Sequence, residues 1–246
     1  MEHKILVTGG KGKLGRELHK LIHANFRDID ELDITNKTLL LDNICQGEYN
    51  IIIHLAADTN LKRCEEDKET AFNINVNGTE NIVEICKKRD IYLIYSSTDY
   101  VFNGEKGLYR EDDATDPVNY YAYTKLIGEY IVNRLEKFLI LRGTMKEKGK
   151  WRHPVAPTDM YESLLHHDEY AEFMVKLIER KATGIYHVGK GRYSVYEWAH
   201  QFDSDVKPKT IEEIGFPLPR DCSLNTSKLD QFLKENSNRI INIRRV

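Results

Sequence analysis

Ile5-Leu6-Val7-Thr8-Gly9-Gly10-Lys11-Gly12-Lys13-Leu14-Gly15 opens the chain with a short apolar run that breaks into glycines. An amphipathic stretch follows, with Leu14, Leu18, Leu21 and Ile22 at helical spacing, predicted as a helix from Gly15 to about Ala24. Strand, glycine turn and helix in that order are how an α/β fold presents backbone amides to a phosphate. Gly9 suits the tight turn, Gly12 lets a pyrophosphate approach the backbone, and Gly15 lets the helix pack closely on the strand.

Outward from this turn, apolar runs alternate with longer amphipathic stretches, the pattern of a parallel sheet with crossover helices. Strands are predicted at Arg27–Asp30, Ile51–Leu55, Ile91–Ser96, Phe138–Leu141 and Gly184–Val188. Helices are predicted at Leu39–Cys45, Glu69–Arg89, Tyr120–Leu135, Asp168–Arg180, Ser194–Phe202 and Thr226–Lys234, and Gly143–Thr158 reads as a loop. The fold class is α/β, a doubly wound parallel sheet of the Rossmann kind with a small mixed C-terminal part that binds substrate. A dinucleotide-binding domain is expected over residues 1–145, receiving the strand at 184–188, and a substrate-binding part over 146–246.

The 246 residues, with 41% hydrophobic and 30% charged side chains and net charge −3, describe an ordinary globular protein. That balance gives no reason to expect nucleic acid or a membrane surface as partner. Cys45, Cys64, Cys86 and Cys222 form no C-x-x-C pair and no zinc spacing, and read as free thiols. With neither a signal peptide nor a membrane-length apolar run in the sequence, the expected compartment is the cytoplasm.

A second signal is Tyr121-Ala122-Tyr123-Thr124-Lys125, a tyrosine and a lysine one helical turn apart and on one face. A phenol titrates near ~10, too high for acid–base work at neutral pH, and a neighbouring ammonium lowers it. A hydroxyl to orient the substrate oxygen is available in Tyr95-Ser96-Ser97-Thr98-Asp99, at the carboxyl end of a strand, where open α/β sheets place their ligands. An acid near the end of the second strand, Asp30, would hold the adenosine ribose hydroxyls and favour NAD, whereas Lys11 and Lys13 could pair with the 2′-phosphate of NADP. NAD and NADP both remain open at this point.

The chain resembles the extended short-chain dehydrogenases/reductases, and within them the dTDP-4-dehydrorhamnose reductase branch. The residues that carry the resemblance are Thr8 to Gly15, Glu31-Leu32-Asp33-Ile34-Thr35, His54-Leu55-Ala56-Ala57, Asn75-Val76-Asn77-Gly78-Thr79, Ser97-Thr98-Asp99-Tyr100-Val101-Phe102-Asn103-Gly104, and Tyr121 with Lys125. Weaker echoes continue at Gly184-Ile185-Tyr186-His187-Val188 and Pro219-Arg220-Asp221. The resemblance implies that Thr98 orients a sugar carbonyl and Tyr121 protonates it as hydride arrives. Lys125 would lower the Tyr121 pKa and hold the cofactor ribose. Ala56 and Ala57 would line the cofactor groove, with Asp33 and Ile34 near the adenine. Leu14 belongs to the glycine turn and Ser96 to the strand end that face the cofactor. Asp99 and Tyr100 would face the sugar, and Arg220 would take the nucleotide or its diphosphate. Dehydratases of this superfamily follow the threonine with Asp-Glu. Here Tyr100 follows Asp99, so that second carboxylate is missing.

The segment Gly143 to Pro154 departs from the family's aromatic pattern. Trp151 there either stacks on a base or packs the loop. His19 with His23, and His166-His167-Asp168, read as solvated surface rather than metal ligands, and no metal is expected. The expected function is NAD(P)H-dependent reduction of a 4-keto-6-deoxy nucleotide sugar, and a homodimer is left open. A nucleotide-sugar epimerase on the same scaffold is one alternative. A non-catalytic regulatory subunit is another, since that of methionine adenosyltransferase resembles the same branch.

Overall fold

The computed structural model describes residues 3–149, 151–238, 241, 243, 245 and 246. In chain order its elements are β1 (Ile5–Thr8), α1 (Lys13–His19), β2 (Asn25–Arg27), α2 (Lys37–Gly47), β3 (Ile51–His54), α3 (Leu61–Glu66), α4 (Lys68–Phe72), a π turn (Asn73–Asn77) and α5 (Gly78–Arg89). Then come β4 (Tyr92–Ser96), a 3-10 turn (Asp99–Val101), α6 (Tyr120–Val132), β5 (Phe138–Arg142), β6 (Thr144–Lys146), β7 (Val155–Pro157), β8 (Tyr161–Glu162), β9 (Leu164–His166) and α7 (His167–Glu179). The last are β10 (Gly184–His187), β11 (Tyr193–Ser194), α8 (Val195–His200), β12 (Lys207–Lys209), α9 (Ile211–Ile214) and α10 (Ser227–Glu235).

Six strands form one parallel sheet in the order β10-β5-β4-β3-β1-β2. Alternate side chains go to opposite faces. Ile5, Val7, Ile51, Ile53, Ile94, Leu139 and Leu141 pack against Leu14 and Leu18 of α1 and Tyr170, Met174 and Ile178 of α7. Leu6, Ile52, Leu93, Tyr95 and Ile140 pack against α2, α5 and α6 on the other side. Both faces are therefore covered, which is why Ile51-Ile52-Ile53 reads as an unbroken apolar run. Reversal of strand order between β1 and β3 places the crevice for a ligand beyond the carboxyl ends of β1, β3 and β4.

Several boundaries differ from the sequence expectation. Helix α1 stops at His19 rather than near Ala24, and Ile22 instead forms an isolated bridge with Arg245. Strand β2 ends at Arg27, because Asn25-Phe26-Arg27 is the stretch in register with Leu6-Val7-Thr8. The single helix predicted over Glu69–Arg89 is α4 and α5 with the π turn between them. The expected loop 143–158 contains β6 and β7; Lys150 in it lies outside the described residues. No described helix is long and apolar enough to cross a membrane.

Candidate active site

The glycine turn connects β1 to α1. Gly9 has φ +69, and a Cβ on it would lie 2.7 Å from the Ala56 nitrogen. A Cβ on Gly15 would lie 2.4 Å from the Gly10 oxygen, so that position is filled by backbone. At Gly12 a Cβ would meet only the Gly9 oxygen, at 3.1 Å, with nothing else within 4 Å. Gly12 caps α1, whose first-turn amides have no intrahelical acceptor. An open approach in front of free amides fits a dinucleotide pyrophosphate.

The charges flanking the turn are already paired. Lys11 Nζ bonds Asp30, and Lys13 Nζ is 3.4 Å from Glu147. Asp30 lies in the exposed loop past β2, three residues beyond its end. The carboxylate directly at the strand end is Asp28, whose Oδ2 accepts from the Lys11 amide at 2.8 Å. Sequence reading missed Asp28 because it ended β2 three residues too late. Leu14 is buried in the core under the turn. Asp33 accepts from the Thr35 amide and hydroxyl, shaping a turn, and Ile34 is buried against Gly78. Ala56 and Ala57 are half-buried just past β3, and the Ala56 amide approaches Thr8 Oγ1 at 3.4 Å. Ser96 is half-buried at the end of β4.

Helix α6 begins where Asn119 Oδ1 accepts from the Ala122 amide at 2.9 Å and Glu65 accepts from the Tyr120 amide at 2.6 Å. This start puts Tyr121 in the first turn and Lys125 one turn later. Gly128 allows close approach to β4: a Cβ there would meet the Tyr95 hydroxyl at 2.2 Å. Lys125 is consequently buried, with Nζ 3.9 Å from the centre of the Tyr95 ring. Burial pulls its pKa down to about 7, against the opposing charge of Glu129. Glu129 itself accepts from Ser97 Oγ and holds Arg142 through Nη2 at 2.7 Å, which ties the Ser97-Thr98 turn and the end of β5 to α6.

Tyr121 is half-buried, and the Thr98 hydroxyl sits beside its phenol. Burial is the main influence on it and pushes its pKa up, an ionised Asp99 would push the same way, and Thr98 opposes them. The expected acidification by Lys125 is therefore not what the structure gives. The phenol keeps its proton at neutral pH.

Asn75, in the π turn, was not singled out as a site residue. Its Oδ1 accepts from the Asp58 amide at 2.7 Å, and its Nδ2 donates to Asp58 O and Thr124 Oγ1, both at 3.0 Å. It thus binds the loop after β3 to the helix carrying Tyr121. π turns commonly mark such positions.

Asp99 and Tyr100 follow Thr98 in the 3-10 turn, which Thr98 Oγ1 caps by accepting from the Tyr100 amide at 3.2 Å. Asp99 is fully buried. The Tyr100 hydroxyl donates to Glu162 Oε1 at 2.9 Å, and Glu162 Oε2 is 2.9 Å from Lys146 Nζ. A second carboxylate thus reaches Asp99, from β8 rather than from the next position in the chain.

Arg220 is exposed and paired with Asp159 at 3.1 Å, on the rim of a cleft of about 740 Å³. The same cleft is lined by Asn103, Tyr161 and Arg192, whose guanidinium lies 3.7 Å over the Tyr161 ring. Trp151 takes the packing alternative: its Nε1 donates to Val155 O at 3.2 Å, and its ring packs beside Ala156, Ala199 and Val206. Among the described residues no group of three or more His, Cys, Asp or Glu could hold a metal ion.

Comparison with known proteins places this geometry among relatives. The family model described as RmlD substrate binding domain matches residues 3–150. A dTDP-4-dehydrorhamnose reductase of Aggregatibacter actinomycetemcomitans is 30% identical over 241 residues, covering 86% of this chain and 82% of its own. Methionine adenosyltransferase 2 subunit beta of Pongo abelii is 32% identical over 272 residues, covering 92% and 81%. The crystal structure of dTDP-4-dehydrorhamnose reductase from Bacillus anthracis, in complex with NADP, superposes with a TM-score of 0.87 at 25% identity, covering 100% of this chain and 96% of that one.

Proposed function

The chain belongs to the RmlD substrate-binding domain family, and from that membership we propose that it reduces the ketone of a 4-keto-6-deoxy sugar linked to a nucleoside diphosphate. The protein is an NAD(P)-dependent oxidoreductase in this reading. Residues 1–145 with the strand at 184–187 form its dinucleotide-binding part, and the rest of 146–246 forms the substrate side.

The observation that carries the reading is the Tyr121 phenol beside the Thr98 hydroxyl, just past the carboxyl end of β4. Reducing a ketone needs a donor that still holds its proton at neutral pH. A reduced nicotinamide held in this groove would supply the hydride that the carbonyl carbon accepts. Thr98 orients the carbonyl oxygen and Tyr121 Oη gives that oxygen its proton, so one C=O becomes one CH–OH. Lys125, as an ammonium, holds the ribose and supports the phenolate left behind. The amides of the Gly12 turn cradle the pyrophosphate, with Ala56 and Ala57 along the groove, and Asp33 and Ile34 line the adenine side. Tyr100 stands where a dehydratase would carry glutamate, and its hydroxyl is committed to Glu162, which favours reduction over loss of water.

Incubation with NADPH or NADH and a panel of 4-keto-6-deoxy nucleotide sugars tests this. Stoichiometric cofactor oxidation with at least one member is expected. Tyr121→Phe should lower turnover by about 10²–10⁴-fold with the fold intact. No oxidation with any member removes the reading. The relative among methionine adenosyltransferase subunits supports a second reading, a non-catalytic subunit. A stable complex with another enzyme and silence across the panel would favour it.

A further inference from the structure

Asp99 has an unusual surrounding for a carboxylate. It is fully buried, its Oδ1 lies a long 3.3 Å from Thr98 Oγ1, and its Oδ2 has no hydrogen-bond partner among the described residues. Beside it stands Glu162, also fully buried. Glu162 is better provided: the Tyr100 hydroxyl donates to its Oε1 at 2.9 Å, and the Lys146 ammonium lies 2.9 Å from its Oε2 as an ion pair, without hydrogen-bond geometry. Two adjacent buried carboxyls cannot both ionise cheaply, and the proton goes to the one with the poorer polar partners. Here that one is Asp99.

We propose that Glu162 is a positioning residue for the reduction: from β8 it keeps the Asp99 carboxyl in its protonated form, so that Asp99 can donate a hydrogen bond to Thr98 Oγ1, leaving the Thr98 hydroxyl proton for the sugar's carbonyl oxygen beside Tyr121. The proposal rests on the ketone-reduction reading and deepens it. Burial and the Glu162 charge push Asp99 well above the usual carboxylate range, while Lys146 pulls the other way. The groups facing Asp99 are Thr98 and Tyr100 from its own turn, Tyr121 from α6, Glu162 from β8, Lys146 from β6, Tyr170 from α7, and Cys222 from the segment after Arg220. Lys146 is the cation among them. A neutral Asp99 also spares the Tyr121 phenol a neighbouring negative charge as the proton leaves. Sixty-two positions separate Tyr100 from Glu162, so no local motif announces the pair.

Infrared difference titration of the full ligand-free chain tests the assignment without using activity. A protonated-carboxyl band should persist at neutral pH and vanish in Asp99→Asn. Glu162→Gln should move the band's midpoint down by about one pH unit or more, and Lys146→Met should move it up. The alkaline limb of kcat/KM should follow the band in each variant. Above the shifted midpoint, KM for the sugar nucleotide should rise while the Kd of the cofactor holds. Absence of the band in the unmodified protein at neutral pH overturns the proposal. So does a Glu162→Gln protein that loses activity evenly across pH with the band unmoved. If Glu162→Gln does not fold, the band in the unmodified protein and the upward shift in Lys146→Met decide. A band that behaves as described in a protein that reduces no ketosugar sinks the reduction reading alone and leaves the carboxyl pair standing.

Discussion

Lys125 Nζ lies 3.9 Å above the Tyr95 ring, so the helix that carries Tyr121 points its ammonium into the sheet face. Burial there lowers its pKa from 10.5 to about 7. A folded-state value below the unfolded one means that the unfolded chain binds the extra proton, so this residue adds stability as pH rises from about 7 toward 10.5. The ammonium, not the amine, holds a ribose best, so NADPH affinity should weaken as pH rises through about 7. Cofactor titrations across pH should show this slope, and Lys125→Met should bind weakly with the slope gone. A pH-independent Kd in the unmodified protein would contradict the role.

The three glycines of the turn should separate by substitution. Gly15→Ala puts a methyl 2.4 Å from the Gly10 oxygen and should cost about 1–3 kcal/mol in urea unfolding. Gly9→Ala adds a left-handed φ of +69 to a clash with Ala56, and should cost at least as much. Gly12→Ala meets only one atom, at 3.1 Å, and should shift stability by no more than about 1 kcal/mol. It should nevertheless weaken cofactor binding clearly, because the methyl enters the approach to the amides.

Cofactor choice should respond to Asp28 more than to Asp30. Asp28 stands at the end of β2 against the Lys11 amide, where a carboxylate favours ribose hydroxyls and repels a 2′-phosphate. Asp28→Asn should raise the preference for NADPH over NADH by about tenfold, or ~1.4 kcal/mol. Asp30→Asn frees Lys11 for the 2′-phosphate, but the pair is exposed, so the gain should be smaller and vanish in high salt. Steady-state kinetics with both cofactors checks the order.

Acid should unfold the protein through its buried histidines. His54, between Thr8 and Thr79 hydroxyls, and His187 are both lowered by burial from 6.5 to about 3. The unfolded chain takes up these protons first. The stability due to each neutral ring is therefore complete above 6.5 and falls as pH drops toward 3, by about 1.4 kcal/mol per pH unit for each. Urea midpoints at pH 7, 5 and 4 should decline, and neither ring should titrate by NMR between pH 7 and 5.

What the sequence made legible was whatever repeats locally. Ile51-Ile52-Ile53 announces a strand covered on both faces, and Gly9, Gly12 and Gly15 announce the turn because each spacing meets a local steric need. Boundaries set by distant partners were not legible. Strand β2 ends where its register with β1 ends, which moved the strand-end acid from Asp30 to Asp28. The π turn that brings Asn75 inward is a change of hydrogen-bond step inside a continuous helical pattern, and periodicity does not see it. Glu162 reaches Asp99 only through tertiary packing. Trp151 could be read either way until its indole N–H was found committed to Val155.

Strand β10 pairs with β5 although the chain travels through β6 to β9 and α7 before forming it. On the ribosome, the outer edge of β5 must therefore wait unpaired, and Leu139 and Leu141 unclad, until that whole stretch has been synthesised. A chain truncated near residue 150 would present a bare, sticky sheet margin open to pairing with another copy.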